Sequence, residues 1–350
     1  MRRRRTAQLL LGLGFSAFFL WLTLRQINLN EAQKALQSVR PWYLLLAVAT
    51  YFVDVGVRTW RWGVLLRPVK LIRWRRLYPV TIIGYMGNML LPARLGELLR
   101  AAVLGRREGV ASAGLGTIAT ERVLDGFTAI AILLFTSRFL PRPDWLVTAL
   151  TTVTILFVAA LVALVFALVF RDGVMTLLTR LFGRFPWAQR PIRWAGEFLD
   201  GLQALRSPAI LFTAIVIGLL AWSCSALQYY WVFRAFDLPL GPLAAYFAVA
   251  AVGLSTMVPA APGYVGTFEF AGVAVLGAAG VPPAEAFSVT VVVHLLQIIP
   301  VACVGLFFLW RAGLSLSPQE SSANRLPQPA PPAPATPHGP GKSTLPTGGK

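Results

Sequence analysis

Two stretches of the chain place proline, glycine and a carboxylate directly after an apolar run. Residues 88–100 read NMLLPARLGELLR, and residues 259–270 read PAAPGYVGTFEF. An ionised Glu at bilayer depth costs roughly 2.5–3.5 kcal/mol even on lenient insertion scales. Irregular backbone survives in hydrocarbon only when protein or a water-filled cavity surrounds it. Two such breaks predict a polar site enclosed within a membrane protein, suited to moving a polar group across.

In the first stretch the reactive pair is Arg94 and Glu97. In a re-entrant turn, freed backbone N–H groups and the positive end of the following half-helix can hold an anion such as phosphate. Arg94 would add a bidentate contact. Glu97 could restrain Arg94 or pair with Arg100 three residues on. The plain alternative is an ion pair that closes the hairpin. Glu121, Arg122 and Asp125 come next. Glu121 and Asp125 share a helix face and repel each other unless a cation or proton intervenes. They could accept Arg94, coordinate an ion or relay a proton; hydrated charges at a helix end are the alternative. In the second stretch, Gly263 and Gly266 permit tight turns and close approach of a ligand. Pro259 and Pro262 stop helix propagation, and Glu269 lies about one turn into the returning helix.

Other polar residues read as structural. Asp54 and Arg58 are spaced as an i,i+4 pair. His294 and Gln297 sit mid-span on one face, which predicts interhelical hydrogen bonds, with a proton-relay His294 the less favoured alternative. Trp222, Tyr229, Tyr230 and Trp231 read as an interfacial belt.

The elements that must position these residues are helices in lipid. Of the 350 residues, 56% are hydrophobic and 13% charged, and mean hydropathy is +0.65; a soluble domain carries about 25% charged residues. The apolar runs are continuous rather than alternating, which disfavours a β-barrel. The net charge of +18 concentrates in loops flanking apolar runs, the positive-inside pattern. It points to anionic lipid headgroups rather than nucleic acid. Cys224 and Cys303 lie inside apolar runs without metal-ligand spacing, and with only His294 and His338 beside them no metal or other cofactor is expected.

Six full spans are predicted, at about residues 7–24, 41–57, 117–135, 145–170, 208–233 and 284–310. The first is read as an uncleaved helix with Arg2–Arg5 in the cytoplasm. Arg58 and Arg61 fall in the predicted cytoplasmic loop after the second span, and residues 171–206 in another that includes an interfacial amphipathic helix. Two broken, re-entrant hairpins complete the all-α polytopic fold, one from the cytoplasm over 77–104 and one from outside over 243–279. Pro92-x-x-x-Gly96 and Pro262-x-x-x-Gly266, each with Glu close behind, suggest an inverted repeat. Residues 1–314 form one transmembrane domain. Residues 315–350, rich in Pro, Ser, Gly and Ala, form a disordered cytoplasmic tail.

Four motifs in order, Arg58-x-x-Arg61-Trp62, Asn88-x-x-Leu91-Pro92-x-Arg94-x-Gly96-Glu97, Glu121-Arg122-x-x-Asp125 and Pro259-x-x-Pro262-Gly263-x-x-Gly266-x-x-Glu269, resemble the transmembrane domain of lysylphosphatidylglycerol synthases, the flippase-like domain family. The resemblance covers about residues 8–311. It implies a prokaryotic plasma-membrane protein that moves a phospholipid or lipid-linked glycan between leaflets. The full synthases continue into a soluble acyltransferase domain, whereas only the tail follows Arg311 here, so lysyl-lipid synthesis is not expected. The expected headgroup site comprises Asn88, Arg94, Glu97, Arg100, Glu121, Arg122, Asp125, Gly263, Gly266 and Glu269. An integral-membrane enzyme on lipid-linked substrates, or a scaffold for a separate lipid-modifying enzyme, is the alternative.

Overall fold

The computed structural model describes residues 17–25, 27–91, 94–139, 148, 151–152, 154–156, 158–159, 162, 166, 169–202, 206–256 and 262–311. All regular structure among them is helical. Residues 17–24 are helical. Then follow α1 (Leu29–Gln37), α2 (Pro41–Leu66), α3 (Trp74–Leu90), α4 (Leu95–Glu108), α5 (Ala111–Thr136), α6 (Arg171–Phe182) and α7 (Pro186–Gly201). After these come α8 (Pro208–Ala235), α9 (Pro242–Ser255), a 3-10 turn (Pro262–Tyr264), α10 (Thr267–Ala278) and α11 (Pro283–Arg311). Most of the predicted spans at 7–24 and 145–170, Pro92, Pro259 and the tail 315–350 lie outside the described residues.

Local chemistry sets the helix ends. Pro41, Pro208 and Pro242 each open a helix, where a missing N–H costs nothing. Ser207 caps α8 by accepting from the Ile210 N–H, and Gly109, at φ 80, ends α4 in the left-handed region. Among the described residues, α8 and α11 are long and apolar enough to cross a membrane. α2 and α5 have 26 residues each but carry charges midway. α2 runs past its expected end at residue 57 to Leu66, so Arg58 and Arg61 are helix residues, not loop residues. The reason is that Asp54 of the same helix and carboxylates of α5 neutralise them inside the bundle (below). Residues 171–201 fold as two helices rather than one, and α7 packs on α5 where Gly116 meets Gly201.

α3 and α4 form an antiparallel hairpin. Gly84 lies against Arg100, and Gly87 against Gly96. A β-carbon on Gly96 would overlap the Gly84 carbonyl and the Asn88 N–H, so only glycine lets the arms close. With 17 and 14 residues, the arms span about 26 and 21 Å, less than a hydrocarbon core of about 30 Å. α9 and α10 form a second packed pair of 14 and 12 residues. Its connection carries left-handed backbone at Gly263, Tyr264 and Gly266.

The core is layered along the helix axes. One apolar cluster includes Ala47 of α2, Ala129 of α5 and Val293 of α11. A second includes Trp62 of α2, Ile118 of α5 and Leu309 of α11. On all three helices the buried charged residues and the buried histidine fall between the two clusters: Asp54, Arg61, Glu121, Asp125 and His294. Burial of apolar side chains at about 25 cal/mol per Å² therefore clamps a polar layer from both sides.

Candidate functional site

The polar layer is an ion-pair network. Asp54, Arg58 and Arg61 recur at one-turn intervals on one face of α2. Arg58 Nε donates to both Asp54 oxygens at 3.0 Å, its Nη2 to Ser225 Oγ at 3.0 Å, and its Nη1 lies 3.7 Å from Asp125. Arg61 Nη1 donates to Asp125 Oδ1 at 2.7 Å, and Nη2 is 3.9 Å from Glu121. Arg100 Nη1 donates to Glu121 Oε2 at 2.8 Å, and its guanidinium lies 3.6 Å over the Trp62 ring. Arg122 approaches Glu97 at 3.4 Å and Asp125 at 3.8 Å, and Arg94 approaches Glu97 at 3.7 Å. Arg61, Arg100, Glu121 and Asp125 are each at most 2% exposed. Desolvating one such ion costs several kcal/mol, so they persist only as mutually paired charges.

The two interrupted segments meet beside this network. Arg94, the residue before α4, donates from Nε to the Thr256 carbonyl at 3.0 Å and from Nη2 to Thr256 Oγ1 at 3.1 Å. Thr256 is the first residue past α9. The same guanidinium lies 5.7 Å from the ring centre of Tyr264 in the second turn. Glu269 Oε2 accepts the Gly266 N–H at 2.6 Å, and Glu269 Oε1 pairs with His294 Nδ1 at 2.6 Å.

A cavity of about 190 Å³ opens between the tips, lined among others by Arg58, Arg94, Arg122, Asp125, Asn88, Trp222, Gln228, Tyr264 and His294. One water occupies about 30 Å³, so the space is room for about six waters or a small polar group. Outside it, α5, α8 and α9 form an apolar groove of about 1010 Å³ with Phe127, Phe135, Leu219 and Tyr246 in its wall.

Residues 9–305 match the family described as the lysylphosphatidylglycerol synthase TM region. The chain belongs to that family. Among proteins it resembles is a UPF0104 membrane protein of Methanothermobacter thermautotrophicus, 27% identical over 83% of this chain and 91% of that one. A UPF0104 membrane protein of Methanocaldococcus jannaschii is 25% identical over 62% of this chain and 90% of that one. Glycosyltransferase AglD of Haloferax volcanii is 26% identical over 93% of this chain, which spans 58% of AglD.

In this lysylphosphatidylglycerol synthase TM member, the residues singled out from sequence fall into three groups. Arg94, Arg122, Asp125 and Asn88 line the cavity. Glu97, Arg100 and Glu121 hold the arginines in the network behind it, with Glu97 on Arg94 and Arg122, and Arg100 on Glu121 rather than on Glu97. Gly263, Gly266 and Glu269 shape the second turn, where Glu269 is bound to His294. Asp54 and Arg58 do pair as i,i+4 neighbours, but they also face the cavity. His294 and Gln297 do bond across helices; Gln297 donates to Gln228 at 3.2 Å. Trp222 and Tyr229 are buried beside the cavity and not in an interfacial belt. Sequence reasoning placed Arg61 in a loop and passed over Ser225, Gln228 and Thr256. For Arg61 the available signal was its one-turn spacing from Asp54 and Arg58.

Five buried polar atoms of cavity-lining residues have no hydrogen-bond partner: Trp222 Nε1, Gln228 Nε2, Arg122 Nε, Asn88 Oδ1 and Asp125 Oδ2. Three of these five are N–H donors. A buried donor without an acceptor costs about 1–3 kcal/mol, so Trp222 and Gln228 leave a place for a group that brings hydrogen-bond acceptors. At the end of α4 far from the tip, the Lys70 hydrogen bond at 2.9 Å, with Arg76 beyond it, holds the Glu108 carboxyl below the usual carboxylate range.

Proposed function

We propose that this protein carries a phospholipid or lipid-linked glycan from one leaflet to the other, with the phosphate of the headgroup held in the cavity between the two hairpin tips. The observation that carries this reading is the cavity itself. Arg58, Arg94 and Arg122 share it with the unpartnered N–H groups of Trp222 and Gln228, a donor set complementary to phosphate oxygens. The apolar groove between α5, α8 and α9 has the polarity of lipid tails. On this reading the chain crosses six times, with α3–α4 re-entering from the cytoplasm and α9–α10 from outside, so that neither hairpin crosses alone. Both termini are cytoplasmic on the positive-inside rule, in the plasma membrane of a prokaryote.

A lipid-linked glycan as cargo, or a separate lipid-modifying enzyme as partner, draws support from the relative named as a glycosyltransferase. The deciding experiment is leaflet exchange of a fluorescent anionic phospholipid in proteoliposomes. Wild type is expected to exchange the lipid without changing it chemically. Modification without exchange would replace this reading with an enzyme. Neither, together with a co-purifying enzyme, would replace it with a scaffold.

A further inference from the structure

His294 of α11 lies between two acceptors. Its Nδ1 is 2.6 Å from Glu269 Oε1 of α10, and its Nε2 is 2.6 Å from the Gly263 carbonyl oxygen in the second turn. The ring stacks on Phe268 at 4.1 Å, and both His294 and Glu269 are buried. A carbonyl oxygen has no proton to give, and a neutral imidazole has a single N–H. Beside a carboxylate, neutral His294 can satisfy one of its neighbours and must aim a lone pair at the other. Keeping both contacts takes one more proton, as imidazolium against carboxylate. The Gly266 N–H on the other Glu269 oxygen suits that ionised carboxylate.

The surroundings say when the extra proton is held. The charged groups that share the cavity with His294 are Asp54 and Arg58 of α2, Arg94 of the first tip, and Arg122 and Asp125 of α5. That is three cations against two carboxylates. Tyr51, Tyr85, Tyr229 and Tyr264 contribute hydroxyls. α1 carries Glu31 and Lys34, but it meets α11 at Ser288, about two turns from His294. With the proton on, the Glu269–His294 pair is neutral and the cavity keeps one excess positive charge. With it off, the pair is an anion and the excess is cancelled.

We infer that Glu269 and His294 form a single proton-binding site whose filling and the binding of a phosphate-type anion in the adjoining cavity favour each other, an inference that rests on the headgroup reading proposed above. Linkage makes the effect reciprocal: the proton strengthens anion binding by the factor by which the anion strengthens proton binding. The remaining N–H stays on the Glu269 carboxylate, the stronger acceptor, so losing the proton also releases Gly263, whose left-handed turn rests against the Met89 carbonyl of α3. Proton loss thereby loosens the contact between the two tips as the anion leaves.

The chain has two histidines, so nitrogen NMR of isotope-labelled His338→Ala protein in detergent reads His294 alone. At a pH where the doubly protonated ring is the minor form, dihexanoyl phosphatidylglycerol is expected to raise its fraction about fivefold or more. Inorganic phosphate in a parallel sample separates a lipid headgroup site, where only the lipid acts, from a bare phosphate site, where both act. In Glu269→Gln the amide N–H can serve Nδ1 while Nε2–H serves Gly263. That variant is expected to fold and to show a singly protonated ring with or without lipid. A wild-type spectrum unmoved by either anion overturns the inference, as does a singly protonated ring in wild type at every pH. In proteoliposomes, lipid exchange indifferent to an imposed pH gradient also overturns it while leaving the proposed function standing. Absence of all exchange removes the transport function, and the nitrogen spectrum still decides the proton site.

Discussion

The guanidinium of Arg94 lies 5.7 Å from the centre of the Tyr264 ring, and both residues hold left-handed backbone, at φ 56 and φ 59. Such a conformation costs a non-glycine residue roughly 1–2 kcal/mol. One residue sits at each hairpin tip, so the two strained positions are in contact with each other. The contact with Tyr264 and the two hydrogen bonds to Thr256 hold the tips together over the cavity. Arg94→Ala removes charge-assisted bonds worth about 1.5–3 kcal/mol and is expected to slow lipid exchange at least tenfold at unchanged expression. Tyr264→Leu removes only the cation–π contact, about 0.5–2 kcal/mol, and is expected to slow it less. Exchange in proteoliposomes checks both; an Arg94→Ala protein at wild-type rate would remove the phosphate-site assignment.

Arg61 and Asp125 form the shortest arginine–carboxylate pair of the network, at 2.7 Å, and both are buried. Removing one partner of a buried pair strands the other charge, at about 3–5 kcal/mol. Asp125→Asn and Arg61→Met are therefore each expected to lower the unfolding temperature in detergent sharply. The double variant removes both charges and is expected to recover part of the loss. Equal, additive losses in a double-mutant cycle would mean that the two side chains do not act as a pair.

Gly96 and Gly109 separate two reasons for glycine. At Gly96 a β-carbon would overlap backbone of α3, and overpacking of this kind costs about 1–3 kcal/mol or more. At Gly109 a β-carbon would meet nothing within 4 Å, but φ is +80, so alanine there costs about 1 kcal/mol through conformation alone. Gly96→Ala should open the first hairpin and lose folded yield, while Gly109→Ala should lower thermal stability slightly. The comparison is read by size-exclusion profile and thermal unfolding.

The hairpins were legible because Pro, Gly and Glu inside apolar runs violate what lipid tolerates. Gly96 and Gly263 then do what those residue types allow: one a close approach, the other a left-handed turn. Arg61 was not legible. Positive residues after an apolar run read as a cytoplasmic loop, and its neutralising partner Asp125 lies 64 residues further on. Local periodicity cannot see a charge supplied by another helix. Glu269 and His294 each stood out, but 25 residues of separation hid their pairing. Thr256 accepts from Arg94 with its backbone carbonyl as well as its hydroxyl, and the carbonyl contact is one its residue type does not reveal.

The layout of the two hairpins makes a prediction about sidedness. α3 begins and α4 ends among Arg73, Arg75, Arg76, Arg106 and Arg107, so both ends of the first hairpin should face the cytoplasm. Gly241, before α9, and Pro282, after α10, should face outside. Single cysteines at Arg75, Arg107, Gly241 and Pro282, all exposed, in a protein with Cys224 and Cys303 replaced, report this directly. A membrane-impermeant maleimide should label the first two only in inverted vesicles and the last two only in right-side-out vesicles. Labelling of Arg75→Cys and Arg107→Cys from opposite faces would mean that the first hairpin crosses the bilayer. A hairpin that crossed and returned would instead leave both positions on one face, but its arms of about 26 and 21 Å are shorter than hydrocarbon about 30 Å thick, and Arg94 and Glu97 would then lie near the opposite surface. The opposed arrangement keeps both tips at depth, where the charges of Arg94, Glu97 and Glu269 must be sheltered by one another and by the cavity they surround.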